Sequence, residues 1–348
     1  MAVKLGLTLG TGGNKAAVDM DYIREAENLE YDSVWTAEAW GSDALTPAAW
    51  VLAQTSKIKV GTGIVQMPAR TPSSVAMACM TLDHLSGGRF ILGLGPSGPQ
   101  VIEGWYGVPY GRPLTRLREY VEIIRKVLAR REPLRHEGFH YQIPMTGDGT
   151  TGLGKPLKSV LHGDPNLKIV SAAISPSGVK AAAEIVDGFI PIYMDPDRFE
   201  VFEPDINAGL EKAGGGKSMS DFMVLAYCQV RMNDDREEAR QPVRENLAFY
   251  IGGMGARDKN FYNDFAKRIG YVDAAVEIQD HFLAGRRKEA VDAVPDELVD
   301  RTALVGPKER IIERLQDWKK AGDKGQVHTI VTRGASVDAL RVLAENAL

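Results

Sequence analysis

Glu38 is the residue at which the sequence places candidate acid–base chemistry. It follows the apolar run Asp32–Ala37, and two tryptophans, Trp35 and Trp40, lie close to it in the sequence. A carboxyl group that such side chains shield from water takes a raised pKa and is able to transfer protons. A carboxylate at the same place can instead serve as a hydrogen-bond anchor for a cofactor or a loop. We therefore predict Glu38 as the catalytic residue, with the anchoring role as the alternative.

Glycine and other small residues dominate the remaining candidate positions, most of which follow short apolar runs. Small residues leave room for a bulky planar cofactor, which carries its own reactive atom and needs the protein only to bind and orient it. The segment Ser175–Gly178 lies between an apolar run and a helical pattern, where backbone N–H groups and the positive end of the helix attract a phosphate. An ordinary capped helix start is the alternative. The predicted cofactor-binding residues on these grounds are Thr8, Gly63, Ile64, Val65, Gln66, Gly95, Ser97, Ser175, Ser177 and Gly178.

Three aromatic residues are candidates for the wall of a substrate pocket. They are Trp40 after the second apolar run, Trp105 in the loop after the fourth and Tyr193 after the sixth. Aromatic rings stack on planar ligands, and they also fill protein cores. We predict a pocket role for all three, with plain core packing as the alternative.

Hydrolytic and metal-dependent chemistry finds little support in the sequence. The six histidines show no metal-ligand spacing such as His-Glu-x-x-His, and the Gly-x-Ser-x-Gly motif of hydrolases is absent. The two cysteines, Cys79 and Cys228, have no metal-ligand partner at a useful spacing. We therefore predict no metal site.

The candidate residues are spread over eight apolar runs that alternate with helical patterns. Continuous apolar runs are typical of strands with both faces buried, and eight strand–helix units predict a (β/α)8 TIM barrel of the α/β class, with a doubly wound open sheet as the alternative. In such a barrel the site lies at the carboxyl ends of the strands. The predicted strands are Val3–Leu9, Asp32–Ala37, Ile58–Val65, Arg89–Leu94, Lys168–Ala173, Gly188–Tyr193, Phe222–Val230 and Val327–Thr332.

Two connections are too long for ordinary loops. Residues 132–167 follow the fourth predicted strand, and the mostly helical residues 233–306 follow the seventh. We interpret both as insertions in a single domain that spans residues 1–348.

The composition of the chain limits the classes of binding partner and the cellular compartment that we expect for it. The chain has 348 residues and a formal net charge of -4, which gives no electrostatic reason to expect nucleic acid or an anionic membrane. No apolar run reaches the length of a membrane span, and Met1–Leu9 lacks the pattern of a signal peptide. Two cysteines suit a reducing compartment, so we expect a cytoplasmic protein that acts on a small molecule.

Several segments together resemble the luciferase-like flavin and deazaflavin oxidoreductases, and most closely the branch that uses coenzyme F420. The similarity covers nearly the whole chain, and Ser97–Gln100 with Glu103–Gly107 is its most branch-specific part. The other matching segments are Asp32–Glu38, Ile58–Ile64, Thr81–Arg89, Leu92–Gly95 and Ala303–Gly306.

This resemblance implies hydride transfer between F420 and a small organic substrate. It implies a cis peptide bulge at Gly63–Ile64 behind the ring, and a phosphate site at Ser177, Gly178 and Val179. It also favours a homo-oligomer, with a dimer preferred. Two alternatives stay open, an FMN-dependent two-component monooxygenase and a non-catalytic barrel that binds a flavin-type ligand.

The chain departs from the relatives in three places. Ala39 stands where the sugar-phosphate dehydrogenases have a histidine, and Pro96–Pro99 stands where they have a glutamate, which argues against glucose-6-phosphate as the substrate. The insertion Thr146–Lys158 is unlike the methanogen reductases, which argues against a pterin.

Overall fold

Eight strands form a closed (β/α)8 barrel in the computed structural model, which describes residues 2–9 and 14–347. The strands of the described chain are β1 (Lys4–Thr8), β2 (Ser33–Thr36), β3 (Lys59–Thr62), β4 (Val65–Gln66), β5 (Phe90–Gly95), β6 (His136–Glu137), β7 (Gln142–Ile143), β8 (Ile169–Ala172), β9 (Gly188–Ile190), β10 (Met223–Met232), β11 (Ala303–Gly306) and β12 (Thr329–Arg333). Hydrogen-bonded neighbours follow the order β1, β2, β3, β5, β8, β9, β10 and β12, and β12 pairs in parallel with β1 to close the ring. The predicted fold is confirmed.

Helices follow most of the barrel strands. They are α1 (Met20–Asn28), α2 (Leu45–Gln54), α3 (Pro72–Ser86), α4 (Pro99–Gly104), α5 (Pro113–Ala129), α6 (Pro176–Ile185), α7 (Glu203–Ala213), α8 (Arg236–Gly253), α9 (Phe261–Arg268), α10 (Val272–Leu283), α11 (Arg287–Asp292), α12 (Asp296–Thr302), α13 (Lys308–Asp323) and α14 (Val337–Ala347). Proline occupies the first position of α3, α4, α5 and α6. Its fixed φ suits the first turn of a helix, and its missing N–H would have had no partner there.

The chain divides into two compact units, of which one is Thr36–Ser171 and the other is the rest of the chain. In the first unit, β3, β5 and β8 bury apolar side chains such as Val60, Leu92 and Ile169. In the second unit, β1, β10 and β12 bury Leu5, Ala226 and Ile330 in the same way. Each unit thus carries barrel strands whose two faces are covered.

Two local features differ from the sequence prediction. The third predicted strand is interrupted by a cis peptide between Gly63 and Ile64, so it becomes β3 and the short β4. Residues 233–306 contain α8 to α12 and also β11, which pairs with the end of β10. A four-residue strand is too short to stand out in a mostly helical segment.

The other long connection, residues 132–167, contains the small antiparallel hairpin of β6 and β7 and otherwise irregular backbone. Among the helices that the structure describes, none combines the length and the hydropathy needed to cross a membrane.

Candidate active site

The carboxylate of Glu38 is buried and surrounded by N–H donors. Nη1 of Arg70 donates to Oε1 at 2.6 Å and to Oε2 at 2.8 Å. The backbone N–H of Gln66 donates to Oε1 at 2.9 Å, and that of Ala44 donates to Oε2 at 3.1 Å. The side chain of Glu38 is only 1% exposed. This geometry matches the anchoring alternative, because the carboxylate holds the loop after β2 against the loop after β3.

Arg70 was not among the predicted residues, although it lies just after the third predicted strand. Burial lowers the pKa of its guanidinium, but the hydrogen bonds that it donates to Glu38 and the charge of Glu38 outweigh burial and raise that pKa. Arg70 also lies 3.8 Å from the carboxylate of Asp43. The arginine therefore stays charged and links two acidic side chains of one loop.

The side chain of Gln66 is also buried and has one unused acceptor. Its Nε2 donates to Oγ of Ser97 at 3.0 Å and to the carbonyl of Glu38 at 3.4 Å. Its Oε1 is buried without a hydrogen-bond partner in the described structure. A buried acceptor without a donor is unfavourable, so Oε1 is placed to accept a hydrogen bond from a ligand. Ser97 has a φ of +59°, and the hydroxyl of Tyr110 donates to its carbonyl at 3.1 Å.

The cis peptide that the resemblance implies is present at Gly63–Ile64. It lies between β3 and β4, and Val65 of β4 pairs with Leu94 of β5. A Cβ atom at Gly95 would lie 2.6 Å from Cδ1 of Ile64. Glycine at position 95 is therefore what leaves room for the side chain of the bulge.

The segment after β8 begins helix α6, as the sequence predicts. Ser175 is the N-cap, and its Oγ accepts the N–H of Gly178 at 3.2 Å while its carbonyl accepts the N–H of Val179 at 2.9 Å. The exposed Ser177 makes no hydrogen bond with the described residues through its N–H or its hydroxyl. The N–H groups of Gly178 and Val179 thus already have hydrogen-bond partners, whereas the N–H of Ser177 is free to bind a phosphate.

Arg268 adds a positive charge beside this segment, and the sequence analysis missed it. Nη2 donates to the carbonyl of Ile174 at 2.9 Å, whereas Nε and Nη1 are buried without a partner. Burial lowers the pKa of Arg268 and outweighs the charges of Asp205 and Asp264, which raise it; neither carboxylate forms an ion pair with it among the described residues. An arginine inside a helical insertion carries no signal of this role, because only the fold brings α9 next to the residue that precedes the N-cap of α6.

The remaining predicted residues have diverse surroundings. Thr8 ends β1, and its hydroxyl donates to the carbonyl of Thr332 at 3.4 Å. Trp40 and Trp105 are 55% and 65% exposed, so neither fills the core of its own unit. Tyr193 is buried, and its hydroxyl donates to Oδ1 of Asn246 at 2.7 Å.

Within the described residues, no group of three or more histidine, cysteine, aspartate or glutamate side chains could hold a metal ion. The two cysteines are free, buried thiols, and burial raises the pKa of Cys228 to about 12.

Known sequences resemble this chain over nearly its whole length. The sequence model of the luciferase-like monooxygenase family matches residues 3–325. A Mycobacterium tuberculosis protein named "Putative coenzyme F420-dependent oxidoreductase" is 43% identical over 344 residues, which is 98% of each chain. The 5,10-methylenetetrahydromethanopterin reductase of Archaeoglobus fulgidus is 29% identical over 302 residues, with 86% of each chain covered.

Solved structures show the same fold. The coenzyme F420-dependent tetrahydromethanopterin reductase of Methanopyrus kandleri matches with a TM-score of 0.79 at 23% identity, over 100% of this chain and 99% of the reductase. An F420-dependent secondary alcohol dehydrogenase, solved with an F420–acetone adduct, matches with a TM-score of 0.73 at 17% identity, over 99% and 98% of the two chains.

Proposed function

Because the chain belongs to the luciferase-like monooxygenase family, we propose that it is an oxidoreductase that uses coenzyme F420. The relative at 43% identity, which the chain covers almost completely, supports F420 over FMN. The substrate is a small organic molecule. The buried free thiols suit the reducing cytoplasm, where we place the protein. We also retain the expected homodimer as part of this proposal.

The observation that carries the proposal is the unpaired guanidinium of Arg268 beside the start of α6. A partly buried guanidinium with two buried N–H groups and no ion pair is unfavourable, and an anion at this place would stabilise it. The free N–H of Ser177 and the positive end of the ten-residue helix α6 favour an anion as well. These residues fit the phosphate group of the cofactor.

A second set of residues fits the ring system. We propose that the Gly63–Ile64 bulge contacts the face of the deazaflavin, with Val65 and Gly95 beside the bulge. Oε1 of Gln66 accepts a hydrogen bond from the ring, and Ser97 holds the amide of Gln66 in place. Glu38 keeps β4 in position through the backbone N–H of Gln66, so we assign it a positioning role.

Bound F420 supplies a ring carbon that accepts or donates a hydride. The chain's contribution is to bind the cofactor, to orient its ring and to present one face of the ring to the substrate. Such orientation lowers the entropic cost of bringing donor and acceptor together.

Fluorescence titration with F420 and with FMN tests the proposal. We expect F420 to bind at least ten times more tightly than FMN, and we expect reduced F420 to be oxidised by members of an anaerobic panel of ketones and enones. Tight FMN binding with oxygen consumption would instead identify a monooxygenase. Tight F420 binding without turnover of any compound would identify a non-catalytic binding protein.

A further inference from the structure

Two arginines meet at the carboxyl ends of β10 and β12 without a counter-ion. Nη1 of Arg231 donates only to backbone carbonyls, those of Val230 at 2.8 Å, Arg333 at 3.1 Å and Gly334 at 2.6 Å. The exposed side chain of Arg333 makes no hydrogen bond with the described residues. Neither guanidinium forms an ion pair within the part of the chain that the structure describes. Burial and the neighbouring charge of Arg333 both lower the pKa of Arg231.

The close approach of Arg231 depends on glycine. A Cβ atom at position 334 would overlap Nη1 of Arg231, and Gly334 also has a φ of +72°. Gly334 thus leaves room for the guanidinium of Arg231 against the backbone at the end of β12. Two like charges at one place are unfavourable unless an anion joins them.

A small pocket adjoins Arg333 and is lined by side chains that offer donors. Its lining includes Tyr193, Tyr227, Gln229 and Asn246. The hydroxyl of Tyr193 and Nε2 of Gln229 both donate to Oδ1 of Asn246, at 2.7 Å and 3.0 Å. Because Oδ1 is occupied twice, the free group of Asn246 is its amino group, which can only donate.

Tyr227 contributes the second unused donor. Its hydroxyl is buried and has no hydrogen-bond partner in the described structure. It lies on β10 two residues before Gln229, so both side chains point to the same face of the strand. Burial raises the pKa of Tyr227 far above the physiological range, so the hydroxyl keeps its proton and acts as a donor.

Tyr193 holds the other side of the pocket in an unusual backbone conformation. Its φ is +58°, in the left-handed region that a residue with a bulky side chain rarely adopts. Such conformations persist where the surroundings impose them and occur often at ligand sites. The hydrogen bond to Asn246 and an edge-to-face contact with Tyr250 hold this ring in place.

We propose that this pocket binds the carboxylate group of a small organic acid. The unused groups around it are the guanidinium of Arg333, the amino group of Asn246 and the hydroxyl of Tyr227, which all donate. A planar carboxylate matches a guanidinium fork. The pocket holds about one water-sized group, so one carboxylate oxygen would enter it and the rest of the acid would stay outside, beside Arg333. The carboxyl ends of barrel strands are also where barrel enzymes bind their ligands.

This inference deepens the proposed function, because it names the substrate as an organic carboxylate. The glutamate tail of F420 also carries carboxylates, so the experiment must separate the substrate from the tail. The binding of benzoate can be measured directly without the cofactor, and benzamide, which has the same shape but no charge, is the matched control ligand. Its result therefore stands apart from the outcome of the F420 titration.

Calorimetric titration of the full-length protein at low salt provides the test. We expect benzoate to bind at least ten times more tightly than benzamide, and Arg333→Gln to remove this preference. Tyr227→Phe should weaken benzoate binding several-fold without loss of stability, since it deletes an unpartnered hydroxyl. Arg131→Gln, at an exposed arginine of the other unit, is the matched control and should bind like the wild type. Equal binding of benzoate and benzamide, or wild-type affinity in Arg333→Gln, would overturn the proposal.

Titration of Arg333→Gln with F420 and with the deazaflavin that lacks the phosphate and tail then identifies the source. If both cofactor forms bind as they do to the wild type, the carboxylate belongs to the substrate. If only intact F420 binds more weakly, the carboxylate belongs to the cofactor tail. Either result, together with the loss of benzoate binding, supports a carboxylate pocket.

Discussion

One nitrogen of Arg70, Nη1, donates to both carboxylate oxygens of Glu38, at 2.6 and 2.8 Å. The pair lies inside the unit that also contains the Gly63–Ile64 bulge, and Glu38 reaches the strand after the bulge through the N–H of Gln66. A carboxylate with this many donors stabilises a loop arrangement. The relationship therefore favours positioning over proton transfer for Glu38.

Replacement of Glu38 separates these two roles. We expect Glu38→Gln to lower the free energy of unfolding by about 3 kcal/mol, because it removes the main ion-pair partner of the partly buried Arg70 guanidinium. F420 affinity should fall as well. The double variant Glu38→Gln/Arg70→Met should lose less than the sum of the single changes, as measured by urea unfolding. The exposed Glu132→Gln serves as the control. A large loss of kcat with normal stability and normal F420 affinity would restore the catalytic role.

Gly95 provides a steric test of the bulge. In Gly95→Ala the new Cβ would lie 2.6 Å from Cδ1 and 2.9 Å from Cγ1 of Ile64, so the Ile64 side chain must move. We expect at least a tenfold loss of F420 affinity in fluorescence titration. Because Ile64→Ala removes the clashing atoms, the double variant should regain part of the affinity. Gly104→Ala is the matched control, since a Cβ there meets nothing within 4 Å. Full F420 affinity in Gly95→Ala would show that the bulge does not contact the ring.

Arg268 gives a prediction in which ligand binding and stability change in opposite directions. Arg268→Met should weaken F420 binding at least tenfold and leave the binding of tail-free, phosphate-free deazaflavin unchanged. The cofactor-free variant should be as stable as the wild type or more stable, because the change removes an unpaired buried charge. Lys267→Met, on the same helix, is the control and should change neither property. Equal loss of affinity for both cofactor forms would mean that Arg268 does not bind the phosphate.

Glu119 predicts how stability depends on pH in the unit Thr36–Ser171. Oε1 accepts the N–H of Phe139 at 2.8 Å, and Oε2 accepts those of His140 at 2.8 Å and Tyr141 at 3.1 Å. Burial raises the pKa of Glu119, but these three hydrogen bonds and the nearby His136 outweigh it and lower the pKa below 4.5.

Because the folded pKa is lower than the unfolded one, Glu119 stabilises the fold fully above about pH 4.5, and this contribution is lost as the pH falls through the folded pKa. Glu119→Gln should lower the free energy of unfolding by about 2 kcal/mol at pH 7 and by less at pH 3. Urea unfolding at both pH values measures the difference. An equal loss at the two pH values would contradict the prediction.

The sequence alone determined the barrel and much of its rim. Continuous apolar runs identify strands buried on both faces, and each run is followed by a recognisable helix start such as Thr71–Pro72 or Ser175–Pro176. The order of strands then follows from the rules for parallel strands. The positions of Gln66, Ser97 and Ser175 at strand ends could therefore be predicted without coordinates.

Only the tertiary structure decided which charges lack partners. Arg268 lies in a helical insertion, and Arg231 and Arg333 lie 102 residues apart in the sequence. An ion pair depends on distances of a few ångströms, and those distances are set by how elements remote in the sequence pack. A sequence pattern indicates which residues of a single strand or helix are buried, and such a pattern was enough to place Glu38 at the end of a strand. The packing of the next loop against it supplied Arg70 and assigned its role.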